Sequence, residues 1–362
     1  MNKNTAKKQI LKLYFTDGAG ALMFASASWV ALLAARGFST IEIGLLESIF
    51  HLTSMTCEVP SGVVADVFGR KKTMVASTVM SVITSFMMIF ANSFEMLAVT
   101  MMFCALSYNL ASGTREALAY DSLKEAGAED EYDKFASNDM IIYSIAHSAA
   151  TMLAGAALLL GYKRAYFIDA FIGIIAVIMA LSLTEVKTEL NQKSDVKERF
   201  REVIIESLHF IKENQKARLM IILNAAIGAV SILILFFLQA KLPEMGLNKA
   251  LLGPALFVMG LGSVVGAKVI ELFKNVRYRK IAMLSLIGIA VALATVFSGN
   301  YLFVIIGGFI GAVADNFLEI RTDVALNNMI PSDQRATLMS INSFTFSVIM
   351  IVMSPVFGWI FA

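Results

Sequence analysis

The chain has 362 residues, of which 57% are apolar and only 16% are charged, and its formal net charge is +2. These values exclude an ordinary soluble domain, which has less apolar and more charged sequence. They also give no reason to expect nucleic-acid binding, because the few basic residues do not gather in one patch. We therefore expect most of the chain to lie in a lipid bilayer.

Apolar segments separated by charged residues or by Gly, Pro and Asn are each long enough to cross the bilayer as a helix, which takes about twenty residues. The sequence therefore predicts an all-α polytopic membrane protein with about 11 transmembrane helices. The predicted spans are 10–35, 39–66, 73–91, 94–122, 135–160, 165–185, 217–241, 249–272, 279–298, 301–328 and 335–360.

Lys and Arg in the connections between spans predict the orientation, because they are enriched in cytoplasmic loops. With the N-terminus in the cytoplasm, 22 of them lie inside and 5 outside. We therefore expect a multi-pass protein of the cell membrane with a cytoplasmic N-terminus. The five outer residues are Arg36, Lys163, Arg164, Lys241 and Lys249.

The second span carries polar side chains at the depth of the bilayer. Glu47, His51, Ser54 and Glu58 fall within one narrow stripe of a helix. Ionisable groups at that depth are costly, so they usually face a cavity and carry function. We expect Glu47, His51 and Glu58, with Asp17 of the first span, to exchange protons. The alternative is a static hydrogen-bond network between helices.

The connection after the second span reads GVVADVFGRKK over residues 62–72. It resembles the major facilitator superfamily, whose signature at this loop is G-x-x-x-D-[RK]-x-G-R-[RK]-[RK]. Gly62 would permit close helix approach and Gly69 a tight turn, whereas Val67 departs from the signature. The alternative is a plain cytoplasmic loop with a turn. The matching residues are Gly62, Asp66, Gly69, Arg70, Lys71 and Lys72.

The resemblance implies a fold of two helical bundles and a charge relay that holds one face of the transporter closed. The residues of this gate would be Gly62, Asp66, Gly69, Arg70, Lys71 and Asp121. The resemblance also implies that the first, fourth, seventh and tenth spans line a central cavity. The substrate-binding candidates are Asn109, Arg115, Glu116, Asp315, Glu319 and Arg321. For Arg115 and Arg321, an ion pair is an equal alternative.

One long polar connection divides the spans into six and five. The expected parts are an N-terminal six-helix bundle at 1–184, a cytoplasmic linker at 185–216 and a five-helix bundle at 217–362. The linker is expected to hold an interfacial amphipathic helix. Its apolar face would consist of Phe200, Val203, Ile204, Leu208 and Ile211.

The two halves repeat a pattern. Arg115 precedes Asp121 by six residues in the fourth span, and Arg321 precedes Asn327 by six in the tenth. Internal duplication is common in transporters. A duplicated second half would have six spans, so we expect a twelve-span parent whose last span is absent from this chain. The alternative is that this fold tolerates the loss of its last helix.

The function expected is proton-coupled efflux of small lipophilic compounds by alternating access. The alternatives are proton-coupled metabolite uptake and a transport-inactive membrane scaffold. A membrane enzyme is not expected, because the sequence has neither a nucleophile and base pattern nor metal-ligand spacing. We expect the partners to be a small-molecule substrate, protons and lipid, with no cofactor, metal or nucleic acid, and we expect the chain to be a monomer.

Overall fold

The computed structural model describes residues 1–186, 214–273, 275–329 and 335–362, and the regular elements in these ranges are helical. The linker helix expected around residues 200–211 lies outside them. The helices of the first half are α1 (Lys3–Ala21), α2 (Phe24–Ala27), α3 (Trp29–Ala35), α4 (Thr40–Phe68), α5 (Arg70–Phe90), α6 (Phe94–Ala111), α7 (Thr114–Glu125), α8 (Tyr132–Met152), α9 (Ala154–Leu160) and α10 (Tyr162–Leu181). Those of the second half are α11 (Gln215–Glu244), α12 (Leu252–Val269), α13 (Tyr278–Val296), α14 (Tyr301–Met329) and α15 (Arg335–Ile360).

The number of membrane spans differs from the prediction when it is judged by length and composition. In the described ranges, eight helical segments are long and apolar enough, or nine if the bent pair at Glu129–Met152 and Ala154–Leu160 is one span. The predicted first span is divided among α1, α2 and α3. The predicted second span is α4, whose polar side chains lower its mean hydropathy. The all-helical membrane fold is confirmed, whereas the count of about eleven is not.

The chain forms two compact units. As far as they are described, the first comprises residues 1–32 and 52–200, and the second comprises 33–51 and 201–362. The beginning of α4 therefore belongs to the second unit and the remainder to the first. The domain boundaries expected from sequence stay a prediction.

The first unit is built around a buried cluster in which side chains of α1, α7 and α8 meet. Leu13, Leu118 and Phe135 are among its largest fully buried members. The fourth span is interrupted between α6 and α7, where Gly113 has φ +73°. This left-handed conformation suits glycine because it has no Cβ. The break places Arg115 in the first turn of α7.

The second unit depends on close helix packing at glycines. A Cβ on Gly262 of α12 would meet the carbonyl oxygen of Phe309, and one on Gly266 would meet that of Val313. The backbones of α12 and α14 therefore touch directly, as small residues permit in membrane helices. The start of α4 packs on α15 in the same way, since a Cβ on Gly44 would meet the carbonyl oxygen of Ser354.

Hydroxyl groups add hydrogen bonds to the contact between the start of α4 and α15. Thr40 Oγ1 donates to the carbonyl oxygen of Gly358 at 2.7 Å. Ser48 Oγ donates to the carbonyl oxygen of Ile351 at 2.8 Å. Because His51 follows on α4, this contact fixes the position of a candidate proton-coupling residue within the second unit.

Candidate functional site

In the first unit, Arg115 gathers three carboxylates. Its Nη1 pairs with Asp17 of α1, its Nη2 lies 2.7 Å from Glu116 Oε1, and its Nε lies 3.1 Å from Asp139 Oδ2 on α8. The side chains of Asp17 and Asp139 are only 9% and 8% exposed. One cation therefore faces three anions, and the ion pairs expected as an alternative for Arg115 are present.

Several oxygens of this cluster remain available to a ligand. Asp17 Oδ2, Glu116 Oε2 and Asp139 Oδ1 are buried and have no hydrogen-bond partner within the described residues. Buried polar atoms normally have partners, and an unpaired carboxylate oxygen accepts a hydrogen bond or a proton. The Arg115 cluster can therefore exchange protons or hold a donor group.

The polar stripe of α4 divides between the two units. In the second unit, His51 Nε2 lies 3.3 Å from Glu47 Oε1, and Glu47 is buried. In the first, Ser54 Oγ donates to Asn109 Oδ1 at 2.7 Å, while Asn109 Nδ2 donates to the Ser54 carbonyl oxygen at 2.7 Å. Glu58 is exposed, within electrostatic reach of Tyr108. The stripe therefore supplies a Glu47–His51 pair to one unit and a Ser54–Asn109 pair to the other.

The signature loop places its charged residues at helix ends. Gly69 has φ +100°, which confirms the expected tight turn before α5. Arg70 Nη1 pairs with Asp121 of α7 and donates to the carbonyl oxygen of Ala117 at 2.7 Å. The backbone N–H of Lys71 donates to Glu185 Oε1 at 3.2 Å. The loop thus ties the start of α5 to α7 and to the chain just after α10.

Gly62 and Asp66 of the expected gate differ in exposure. Gly62 was expected to permit close helix approach, but it is exposed and a Cβ there would meet nothing within 4 Å among the described residues. Gly62 therefore makes no close helix approach among the described residues, and its expected role stays a prediction. Asp66 is half-buried one turn before Arg70.

The second unit contains a cavity of about 480 Å³ between α11, α14 and α15. Asp315, Glu319 and Asp323 line it from α14. Ile232, Leu235 and Phe346 supply apolar wall. The remaining polar lining residues are Asn224, Ser231, Ser263, Asn316, Asn342 and Ser343. The cavity is therefore polar and acidic on the α14 side and partly apolar on the facing side.

His51 connects the α4 stripe to this cavity. Its ring meets the ring of Phe346 edge-on, with centroids 5.7 Å apart, and Phe346 lines the cavity. Arg321 is placed elsewhere: its Nη2 donates to the carbonyl oxygen of Val276 at 3.1 Å, and it is not among the lining residues in the described ranges. Of the substrate candidates in the second unit, Asp315 and Glu319 share the cavity and Arg321 does not.

Sequence reasoning missed four residues that the structure gives a role. Asn224 and Phe346 line the cavity, and Glu185 holds the loop before α5. Asp169 of α10 is fully buried and accepts hydrogen bonds from the N–H groups of Ala25 and Ser26, at the start of α2. A lone carboxylate inside an apolar span is a detectable signal for Asp169, because such groups are costly in a membrane.

Comparisons with known proteins agree on the family. The Major Facilitator Superfamily model matches residues 12–277. An uncharacterised MFS-type transporter of Bacillus subtilis (strain 168), YxaM, is 25% identical over 354 residues, covering 93% of this chain and 85% of that protein.

Solved structures show the same fold. The nucleoside transporter NupG superposes with a TM-score of 0.76 at 16% identity, covering 97% of this chain and 90% of that one. A bacterial homologue of the human lysosomal transporter Spinster, inward-facing and unoccupied, gives a TM-score of 0.68 at 16% identity, covering 97% and 80%. At these identities the likeness concerns the fold alone.

Proposed function

Because this chain belongs to the Major Facilitator Superfamily, and is therefore a multi-pass membrane transporter and not an enzyme, we propose that it exports small lipophilic compounds in exchange for protons. The observation that carries this proposal is the cavity of the second unit. It combines an apolar wall with Asp315 and Glu319, two carboxylates that can each hold either a proton or a substrate group. Small-molecule sites commonly join apolar walls to a few such polar groups.

Coupling follows from the effect of charge on conformational equilibria. A proton on a cavity carboxylate neutralises a charge that is costly to bury. Protonation therefore shifts the population between the access states. Substrate binding to the same groups shifts that population in the other direction. Transport then needs only that proton and substrate do not occupy the carboxylates together.

The proposed coupling residues are Glu47, His51, Glu58 and Asp17. The buried Glu47–His51 pair beside Phe346 supports the first two, and the unpartnered Oδ2 supports Asp17. Glu58 is exposed, within electrostatic reach of Tyr108. The proposed substrate contacts are Asn109, Arg115, Glu116, Asp315, Glu319 and Arg321. Asn109 and Arg321 would have to exchange their present hydrogen bonds for substrate contacts.

The signature loop is proposed as a gate made of Gly62, Asp66, Gly69, Arg70, Lys71 and Asp121. The Arg70–Asp121 ion pair supports this role, because a charged pair that forms in one state and breaks in another biases the equilibrium. Proton movement in liposomes that contain the purified protein also tests the gate. With Asp121→Asn we expect slower proton movement and unchanged substrate binding.

A second candidate function is proton-coupled uptake of a polar metabolite. The amides of Asn224, Asn316 and Asn342 along the cavity favour it, since an apolar compound would leave these groups without partners. The sign of the proton movement separates the two functions. When substrate enters the liposome, a protein that exchanges substrate for protons raises the internal pH, whereas one that carries both together lowers it.

The test is proton movement in liposomes that contain the purified protein and an internal pH dye. Lipophilic cations, neutral lipophilic compounds and common metabolites are added in turn. We expect at least one class to drive proton movement, and Asp315→Asn to slow it by about tenfold to a hundredfold, as loss of a charge-assisted hydrogen bond would.

Glu271→Gln is the matched control, because Glu271 is an exposed carboxylate of the same unit that pairs with Lys268 outside the cavity. It should leave the rate unchanged. If no class drives proton movement in correctly inserted protein, proton coupling is rejected.

A further inference from the structure

The carboxylates of the cavity have a regular spacing. Asp315, Glu319 and Asp323 follow one another every four residues on α14, and all three line the same cavity. Residues four apart lie on one face of a helix and are separated by about 6 Å along its axis. The cavity therefore has an acidic stripe with a fixed interval.

This stripe is not neutralised from within the cavity. Among the lining residues that the structure describes, none carries a positive charge. Arg321 lies between Glu319 and Asp323 in sequence, yet it is directed to the carbonyl oxygen of Val276. A cleft lined by one sign of charge concentrates ligands of the opposite sign. The electrostatics of the cavity thus favour a cation.

A second observation, independent of the carboxylates, points to a hydrogen-bond donor. The side-chain oxygen of Asn224 on α11 lines the same cavity, is buried and has no hydrogen-bond partner within the described residues. An unmade hydrogen bond at a buried acceptor is costly, so a ligand that donates there gains affinity. An alkylammonium group carries three donors and no acceptor, and so satisfies both the carboxylates and this amide oxygen.

Part of the lining that α11 and α15 contribute suits hydrocarbon. Phe346, Ile232 and Leu235 line the cavity, and an aromatic ring also attracts a cation held near its face. The volume of about 480 Å³ is that of a typical small-molecule site. A ligand that fits these features has a short apolar chain between charged ends.

We propose that the cavity binds an aliphatic compound with two protonated amines spaced to match two neighbouring carboxylates of the stripe, about 6 Å apart. The two ammonium groups lie at Asp315 and Glu319, Asn224 accepts a hydrogen bond from one of them, and the connecting chain packs on Phe346. This inference rests on the proposed function, because it names the substrate class of the same cavity.

The experiment measures binding to the purified full chain in lipid nanodiscs by calorimetry. The probes are tetramethylenediamine, the shorter ethylenediamine, the monoamine butylamine and the neutral butanediol. We expect tetramethylenediamine to bind at least tenfold more tightly than butylamine and ethylenediamine, and butanediol to bind more weakly than any amine. Equal affinities for tetramethylenediamine and butylamine, or for butylamine and butanediol, overturn the proposal.

Variants show whether the preference comes from the stripe. Glu319→Gln should reduce the affinity for tetramethylenediamine to that for butylamine, while butylamine itself changes by less than threefold. Glu319→Asp keeps the charge and should retain most of the preference, which guards against a folding defect in the first variant. Glu271→Gln should behave as the wild type. A preference that survives in Glu319→Gln overturns the assignment to this stripe.

Proton movement in liposomes separates this inference from the proposed function. If neutral lipophilic compounds drive proton movement while tetramethylenediamine does not bind, the transporter assignment holds and the diamine proposal is rejected. If tetramethylenediamine binds with the expected preference but no compound drives proton movement, the diamine site is supported and proton coupling is rejected.

Discussion

At the scale of single residues, Arg115 stands out because three carboxylates surround one guanidinium group. It meets Asp17, Glu116 and Asp139, which come from α1, α7 and α8. An ionic group of this kind stabilises a protein only while both signs are present, because removing one partner leaves buried charge uncompensated. Arg115 therefore serves the fold as well as any substrate contact.

Arg115→Met is expected to lower the free energy of unfolding by about 3 kcal/mol, since three carboxylates lose their shared cation. Adding Asp139→Asn removes one of those charges and should restore part of the loss. The measurement is unfolding in detergent followed by tryptophan fluorescence. The exposed Arg164→Met is the control and should change stability by less than about 0.5 kcal/mol. An equal loss in both single variants would contradict the assignment.

Only part of this cluster could be predicted. The pairing of Arg115 with Glu116 follows from their adjacency in sequence. The approach of Asp17 and Asp139 depends on how α1 and α8 pack against α7, which no local pattern specifies. The partners of Asp169 could not be predicted for a similar reason: they are backbone groups exposed by the break before α2, and nothing in the sequence around residues 22–24 resembles a helix stop such as proline or a charged residue.

At the scale of helices, the glycines of α12 differ sharply in their surroundings. Gly262 is buried against α14, where a Cβ would meet the Phe309 carbonyl oxygen. Gly260 lies two residues earlier, and a Cβ there would meet no described atom within 4 Å. The same substitution at these two positions therefore separates helix contact from helix propensity.

Gly262→Ala is expected to lower the free energy of unfolding by about 1–3 kcal/mol, because an added methyl group forces α12 away from α14. Gly260→Ala should be neutral or raise it by up to about 1 kcal/mol, since alanine is the better helix former. Thermal unfolding of the two purified variants gives the comparison. A stability of Gly262→Ala equal to that of Gly260→Ala would argue against direct backbone contact.

The ends of helices could be predicted better than their interruptions. The span expected at 301–328 is the helix Tyr301–Met329, because the polar residues before it and after it mark its ends. The span expected at 94–122 is instead two helices divided at Gly113. A single glycine inside an apolar segment fits an intact helix nearly as well as a broken one, so periodicity alone cannot identify the break.

At the scale of the whole molecule, the distribution of Lys and Arg predicts a cytoplasmic N-terminus. With Cys57 and Cys104 replaced by serine, a single cysteine at the exposed positions Asp130 or Asn248 reports the side of the membrane. An impermeant maleimide added to intact cells should label Asn248→Cys and leave Asp130→Cys unlabelled. Both should react after permeabilisation. The reverse pattern in intact cells would refute the predicted orientation.

Membership of the family could be predicted from one loop, because its glycine and charged residues occupy positions fixed by turn geometry and helix ends. The acidic cavity could be predicted only in part. Asp315 and Glu319 stood out as charges within a span, but the participation of α11 and α15 depends on tertiary packing. The close approach that Gly62 permits is not used among the described residues, since a glycine permits such a contact without requiring it.

The contact between α12 and α14 also gives the cavity walls of unequal stiffness. Where backbone touches backbone at Gly266 and Val313, no side chain can rotate to make room, and Val313 lies only two residues before Asp315. Phe346 on the facing wall can instead change its side-chain torsions. A bulkier ligand would therefore be accommodated by rotation of the ring, while the interval between the carboxylates stays constant. Such a site tolerates variety in the hydrocarbon of its ligands and little variety in the separation of their charges.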